Sequence, residues 1–277
     1  MPLDDPPALR IAIVGGGPAG LMAAEQIARA GVSVDLFDAM PSVGRKFLLA
    51  GKGGLNLTHS EPMLAFVQRY AERGDRIGPM LEHFGATQLR EWASGLGVAT
   101  FVGSSGRVFP SDLKAAPLLR AWLQRLRALG VRFHMRHRCE GLERSDAGLW
   151  QLRTAASHHT GQGFAAVLLA LGGASWPKLG SDGAWVSWLT RLGAQIEPLL
   201  PSNCGFDAAH LGADGATAAG WSEHFRSRHA GQPLKTVALR FDGRDGARFE
   251  QRGELMITEG GFNLKVSCGV NCPITGE

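Results

Sequence analysis

A glycine turn set between an apolar run and a helical stretch constrains this chain more than any other feature. The run Leu9–Val14 enters Gly15-Gly16-Gly17-Pro18-Ala19-Gly20, a GxGxxG turn. Leu21–Ala30 follows, with Leu21, Ala24, Ile27 and Ala28 on one helical face. Gly31 is placed as the C-terminal cap of that helix. Val32–Phe37 then reads as a second buried strand. Strand, turn, helix and strand within about 30 residues make a βαβ unit with a right-handed crossover.

Each position of the turn has a physical task in holding a dinucleotide. Gly15 permits the tight turn out of the strand, and Gly17, with no Cβ, lets backbone approach a pyrophosphate. Gly20 and Ala24 let the helix lie close to the sheet. Pro18 and Ala19 open the helix, whose N-terminus offers free amides and positive dipole character to phosphates. Asp38, closing the second strand ahead of Ala39, is expected to accept hydrogen bonds from the adenosine ribose. A carboxylate there repels a 2′-phosphate, so the site suits FAD or NAD better than NADP.

No second GxGxxG follows, so no separate nicotinamide domain is expected. Phe164–Leu171 is a continuous apolar run, expected to be a strand buried on both faces. It leads into Ala170-Leu171-Gly172-Gly173-Ala174, where glycines would let backbone pass close to a ligand. Residues 41–60 read as loop, and Gly44–Asn56 within them carries Arg45, Lys46 and Lys52, able to wrap a pyrophosphate and a ribityl chain.

Elsewhere, residues 62–97 read as helical, 98–110 as a hairpin ending at Pro110, and Leu113–Leu129 as an amphipathic helix stopped by Gly130. Strands are expected at Val131–Leu142 and Leu149–Thr154, the alternation in Arg132–Arg138 marking one wet face rather than a nucleic-acid patch. Gly, Ala and polar content rises after Gly193. A domain boundary is therefore placed near residues 196–203, with an FAD-binding domain at 1–197 and a second domain at 198–277. In the latter, Thr236–Phe241 and Glu254–Thr258 read as strands.

The chain of 277 residues is long enough for a sizeable core, and its formal charge of +4 is spread rather than blocked. No stretch has the roughly 18 apolar residues of a membrane span, and Met1–Arg10 lacks the apolar core of a signal peptide. A cytoplasmic location is expected. Cys139, Cys204, Cys268 and Cys272 make no pair of CxxC motifs, so they read as reduced thiols, and no metal site is expected. His158-His159 reads as a solvated loop pair.

Gly15–Asp38, Gly44–Gly51 (GRKFLLAG) and Asn56-Leu57-Thr58 resemble the BaiN/YhiN-like flavoproteins, a family of NAD(P)/FAD-dependent oxidoreductases. Further matches are Gly106–Pro110, Leu171–Pro177, Pro201–Phe206, Pro233-Leu234-Lys235 and Gly253–Glu259, covering about residues 9–261 in order. The resemblance implies an α/β fold, a glutathione-reductase-like FAD domain of Rossmann type with an inserted, mainly β domain facing the flavin. It implies that Gly15, Gly17, Gly20 and Asp38 bind the ADP part, and that Arg45, Lys46 and the loop Ala50, Gly51, Gly53, Asn56 approach the pyrophosphate and flavin. The strand around Cys139 would meet the adenine through backbone atoms, with Gly172 and Gly173 beside the cofactor.

After Gly261 the family pattern would continue and return to the FAD domain with a Gly-Asp pair. Here 262–277 reads as an atypical tail, and the expectation is a C-terminally truncated chain. Two readings follow. One is an FAD-dependent oxidoreductase moving a hydride or electrons to or from a small molecule, with NAD(P)H as candidate transient donor. The other is a flavin- or nucleotide-binding protein without turnover, an inactive fragment included. An RNA-modifying flavoprotein is suggested only by the fold and the mild basic charge, and no nucleic acid or membrane partner is expected. No catalytic acid or base stands out. His59, Arg107 and Lys46 are candidates to touch the ligand, each expected to be structural or phosphate-contacting instead.

Overall fold

The computed structural model describes residues 9–50, 53–154, 163–199, 205–211, 217–242 and 248–265. The chain divides into two compact units, one of residues 1–60 and 84–199, the other of 61–83 and 200–277.

In the first unit, β1 (Arg10–Val14) leads into α1 (Pro18–Arg29) and β2 (Ser33–Asp38). Proline at the first helical position costs no hydrogen bond there. The helix ends in a Schellman turn: Gly31, at φ +80°, donates to Ala28 O and Val32 to Ile27 O. The predicted βαβ unit is therefore present, with Gly31 just past the cap.

The glycine-rich stretch after β2 is not all loop. It forms α2 (Arg45–Ala50) and the short β3 (Thr58–His59). Gly44, at φ +68°, turns the chain where a Cβ would lie 2.7 Å from Leu119 Cδ2. Its carbonyl then accepts from Leu48 N, which starts the helix, and Phe47 packs on the core. Good helix formers at 46–50 were obscured by their glycine and lysine neighbours.

In the second unit, α3 (Met63–Gln68) and α4 (Gly74–His83) follow. The first unit resumes with α5 (Ala86–Ser94), the hairpin β4 (Thr100–Val102) and β5 (Arg107–Pro110), and α6 (Ala115–Ala128). The strand expected over Val131–Leu142 is two strands, β6 (Arg132–Met135) and β7 (Cys139–Arg144). Arg136, at φ +61°, breaks the run. There β2 ends, and carbonyls at and just beyond its end take the next amides: His137 N donates to Asp38 O and Arg136 N to Met40 O. β8 (Trp150–Thr154) pairs antiparallel with β7; β9 (Ala166–Leu169) and α7 (Trp185–Arg191) complete the unit.

A four-stranded parallel sheet in the order β6-β2-β1-β9 organises this unit. Both faces are packed, as parallel sheets require. On one, Ile13, Val34 and Leu36 meet Leu21 and Ala24 of α1 and Trp122 and Leu126 of α6. On the other, Ala12, Val14 and Phe37 meet Leu142, Leu152 and Phe164. Burying each large aliphatic side chain contributes about 1.5–3 kcal/mol. β9 departs from expectation. It is half-buried rather than enclosed on both faces, and among the described residues it has one strand neighbour, β1.

Two buried carboxylates lock this core. Glu25 of α1 accepts from the indole N–H groups of Trp92 at 3.0 Å and Trp122 at 2.7 Å and pairs with Arg125 and Arg29. Asp35 of β2 accepts from Arg10, Arg132 and His134, all at 2.7–2.9 Å. Burial pushes the Asp35 carboxyl up, but the hydrogen bonds from Arg132, His134 and Arg10 outweigh it and hold the group far below the usual carboxylate range.

The second unit carries an antiparallel sheet in the order β10 (Gly205–Asp207), β15 (Gly261–Lys265), β14 (Arg248–Ile257), β13 (Pro233–Asp242). It also has the pair β11 (Ala209–Leu211) and β12 (Thr217–Ala219), and α8 (Glu223–His229). The segment read as the start of an atypical tail is part of this sheet: Phe262 pairs with Phe206 on one side and Ile257 on the other. Gly51, Lys52, the His158-His159 pair, Cys204, Cys268 and Cys272 lie outside the described residues. No helix among the described residues is long and apolar enough to cross a membrane.

Candidate functional site

The glycine turn lies at the carboxyl end of the parallel sheet, where ligands of open α/β folds bind. Three backbone hydrogen bonds pin it. Gly15 N donates to Phe37 O, Ala170 N to Val14 O, and Gly16 O accepts from Gly44 N, all at 2.8 Å. Gly15 has φ +109°, and a Cβ there would meet Ala170 O at 2.2 Å. A Cβ on Gly20 would meet Gly15 O at 1.9 Å, so the close approach of helix to turn is literal. Gly17 differs: nothing lies within 4 Å of its Cβ direction. It caps α1 without a side-chain hydrogen bond, leaving the first-turn amides facing open space.

Around the turn is a cavity of about 790 Å³. Gly15, Gly17, Pro18, Ala19, Asp38, Ala39, Gly44, Arg45, Lys46, Cys139, Ala170 and Gly172 all line it. Gly20 stands behind it, and Gly53 and Gly173 are not among its walls. Ala50 and Asn56 instead line a second cavity, also about 790 Å³, walled by Phe47, Leu55, Trp92, Trp122 and Trp176. Pro18 and Lys46 line both. His59 and Arg107 face each other in the β3–β5 pair and line neither cavity. His59 Nε2 lies 3.0 Å from Ser105 O.

Asp38 does more than line the cavity. Its Oδ2 accepts from Gly16 N and its Oδ1 from Met40 N, both at 2.7 Å. Burial pushes this carboxyl up, with the Met40 and Gly16 amides and the Arg45 guanidinium partly offsetting it. Burial likewise pushes up the thiol of Cys139, which suits a wall residue and not a nucleophile. Lys46 Nζ donates to Ser175 Oγ at 2.9 Å, where the two cavities adjoin.

Two polar atoms in the walls are buried without a hydrogen-bond partner, Arg45 Nε and Ser181 Oγ. Such groups cost about 1–3 kcal/mol each when left unmade. The fit to a ligand rests instead on the N-terminus of α1 and on Arg45 and Lys46 in the walls, whose positive character suits a diphosphate-linked nucleotide.

Several wall residues carry no motif. Gly16, the variable position of GxGxxG, is as constrained as its neighbours: a Cβ would meet Val43 Cγ1 at 2.3 Å. The triple glycine was the available signal. His137, whose Nδ1 lies 2.8 Å from Met135 O, and the loop Gly180–Asp182 come from segments with no local signature.

A parallel sheet, a glycine turn at its carboxyl edge and a helix N-terminus facing a nucleotide-sized cavity define the class: a Rossmann-like FAD-binding domain. Residues 9–268 match the HI0933-like protein Rossmann domain, and the chain belongs to that family. It is 31% identical over 197 residues to a 3-dehydro-bile acid delta(4,6)-reductase of Clostridium scindens, covering 70% of this chain and 46% of that protein. The chain thus spans about half the length of that relative. A shorter match, 47% over 49 residues, joins it to a ribosomal RNA dihydrouridine synthase of Haemophilus influenzae, covering 18% of this chain and 12% of that protein. In fold it is similar to a flavocytochrome c3 fumarate reductase, with TM-score 0.51, 16% identity, 86% of this chain and 48% of that one covered.

Proposed function

We propose that this chain binds FAD and serves an oxidoreductase that moves a hydride to an unsaturated, largely apolar small molecule, with NAD(P)H as electron donor. The observation that carries the reading is the pairing of two adjoining cavities, one lined by glycine backbone with Arg45 and Lys46, the other by tryptophan, phenylalanine and leucine. In this reading Gly15, Gly17, Ala19 and Arg45 hold the diphosphate, and Asp38 and the backbone near Cys139 receive the adenosine. The apolar chamber accepts the reacting end. Bound FAD would supply the hydride chemistry; the protein binds, orients and excludes water. Lys46, shared by both cavities and held by Ser175, is the cation placed to face charge developing on a ligand oxygen. The chamber walls favour a ligand with a large apolar surface, and the reductase relative is named for a 3-dehydro-bile acid.

The test is mass spectrometry of the ligand released from purified protein, followed by anaerobic mixing of the FAD-loaded protein with NADH or NADPH. The reading expects released FAD, or uptake of added FAD, and bleaching of the flavin absorbance by one nicotinamide. A colourless protein that takes up no FAD would overturn it. FAD binding without bleaching by either nicotinamide would overturn the choice of donor and leave the non-catalytic binder.

A further inference from the structure

Five aromatic side chains wall the second cavity: Phe47, Phe84, Trp92, Trp122 and Trp176. Three of them are committed to the protein. Trp92 and Trp122 meet edge to face with ring centroids 4.7 Å apart. Both of their indole N–H groups donate to the fully buried Glu25 carboxylate, which Arg29 and Arg125 hold in turn. Phe47 packs on the core. Trp176 differs. It lines the cavity while 51% exposed, and among the described residues its indole has neither a hydrogen-bond partner nor a ring partner. A large ring left this open offers the apolar contact area on which small-molecule sites are built.

The backbone beneath Trp176 is nevertheless fixed. Trp176 opens a strap, Trp176–Asp182, whose ends are tied: Trp176 N donates to Ser181 O and Ser181 N to Trp176 O, both at 3.2 Å. Just upstream, Ala174 takes the left-handed region at φ +58°, which few residues with a Cβ adopt. Gly183 lies so close that a Cβ on it would stand 2.9 Å from Ala174 Cβ. Such held-in strain gathers at ligand clamps. Ser175, between Ala174 and Trp176, accepts from Lys46 Nζ at 2.9 Å, and Lys46 lines both cavities. An unattached indole thus stands on an ordered main chain, one residue from a bound cation. Little ordering remains for a ligand to impose there, which favours binding.

We infer that Trp176 is the ring-binding face of the second cavity, stacking on a planar conjugated ring whose acceptor oxygen or anionic group lies toward Lys46. Trp92 and Trp122, locked by Glu25, are the fixed wall, and Trp176 is the wall that meets the ligand. The inference rests on the reading of the two adjoining cavities above and adds the residue that grips the ring. Two molecules would bring such a ring: FAD itself, through its flavin, or a separate unsaturated ligand.

The probe is naphthalene-2-sulfonate, a flat ring with one anionic group, titrated by calorimetry onto the ADP-loaded chain. Trp176→Ala should bind it about tenfold more weakly than the wild type, and Trp176→Phe, which keeps a ring face, should recover to within about threefold. ADP fills only the first cavity, so its affinity should be the same in all three proteins, which also checks their folding. Equal affinity of wild type and Trp176→Ala for the sulfonate would overturn the stacking face and leave the nucleotide reading intact. A wild-type chain that binds neither FAD nor ADP would overturn the nucleotide reading itself. A comparison on the wild type needs no variant. Decahydronaphthalene-2-sulfonate, saturated and puckered, should bind about fivefold more weakly than the flat probe, and equal affinities overturn the stacking however Trp176→Ala folds. Competition identifies the source of the ring. Displacement of the sulfonate by FAD but not by ADP upholds the stacking face with the flavin as its occupant; FAD and the sulfonate bound together uphold it with a separate ligand.

Discussion

The amide of Gly16 donates to Asp38 Oδ2 at 2.7 Å, so the acidic end of β2 and the middle of the glycine turn form one unit. Removing the carboxylate frees both the Gly16 and the Met40 amides and loosens the turn. Asp38→Ala is expected to weaken FAD binding at least about tenfold, with Asp38→Asn intermediate because its one carbonyl can keep a single amide. Fluorescence titration decides it. Wild-type affinity in Asp38→Ala would refute the clamp.

Gly20 allows no side chain at all. A methyl group placed there meets the Gly15 carbonyl at 1.9 Å, and backbone must move to admit it. Gly20→Ala should therefore abolish nucleotide binding and lower thermal stability by several degrees, typical of about 1–3 kcal/mol of overpacking. Gly17→Ala, facing open space, should leave stability unchanged and impair binding alone. If both variants lose stability equally, the distinction drawn between the two glycines is wrong.

Asp35 sets an acid limit on the fold. The folded carboxyl holds its proton less tightly than the unfolded one, so acid drives the unfolded chain to take up the proton first. Its contribution is fully present above the unfolded value of about 3.9 and fades as pH falls through the lowered folded value. Asp35→Asn, which leaves Arg10, Arg132 and His134 facing a neutral amide, should cost about 3 kcal/mol at pH 7. It should also flatten the fall in stability below about pH 4. Urea unfolding at a series of pH values reads both effects, and an unaltered acid slope would remove Asp35 from the account.

Arg138 and Asp182 tie down the Trp176–Asp182 strap, a wall of the first cavity, through one exposed ion pair. Exposed pairs contribute little, so Arg138→Ala should leave FAD affinity within about fivefold of wild type. Added salt, which screens the pair, should narrow the difference. Stopped-flow displacement should show the loss as faster release, with the exchanged pair Arg138→Asp/Asp182→Arg recovering the slow rate. Equal release rates at low salt in all three proteins would show that the strap is held by other contacts.

What could be read from the residues alone was whatever is local. GxGxxG with Asp38 beyond it specifies a strand, a turn, a helix and a strand, and each falls within a few residues of its expected place. Features set by partners distant in sequence were not legible. α2 depends on Gly44 turning against Leu119, some 75 residues away by sequence position, and the break at Arg136 depends on where β2 ends. The half-burial of β9 goes with its having one strand neighbour among the described residues, while FAAVLLAL reads alike for a central and an edge strand. Ser181 carried no signal because a serine becomes chemically distinctive only when burial strips it of partners. Asp38 closes β2 where the sequence places the strand's end, while its bonds to the Gly16 and Met40 amides are invisible until the turn is folded.

β2 places Asp35 and Phe37 on one face and Val34 and Leu36 on the other, with Asp38 at its tip. A slip of one residue against β1 would push Asp35 among leucines and carry Asp38 out of reach of Gly16. Misthreading and loss of ligand grip are therefore the same error in this protein. Cofactor retention consequently doubles as an assay of folding fidelity, and a colour screen of variant colonies would sort correctly threaded chains from slipped ones.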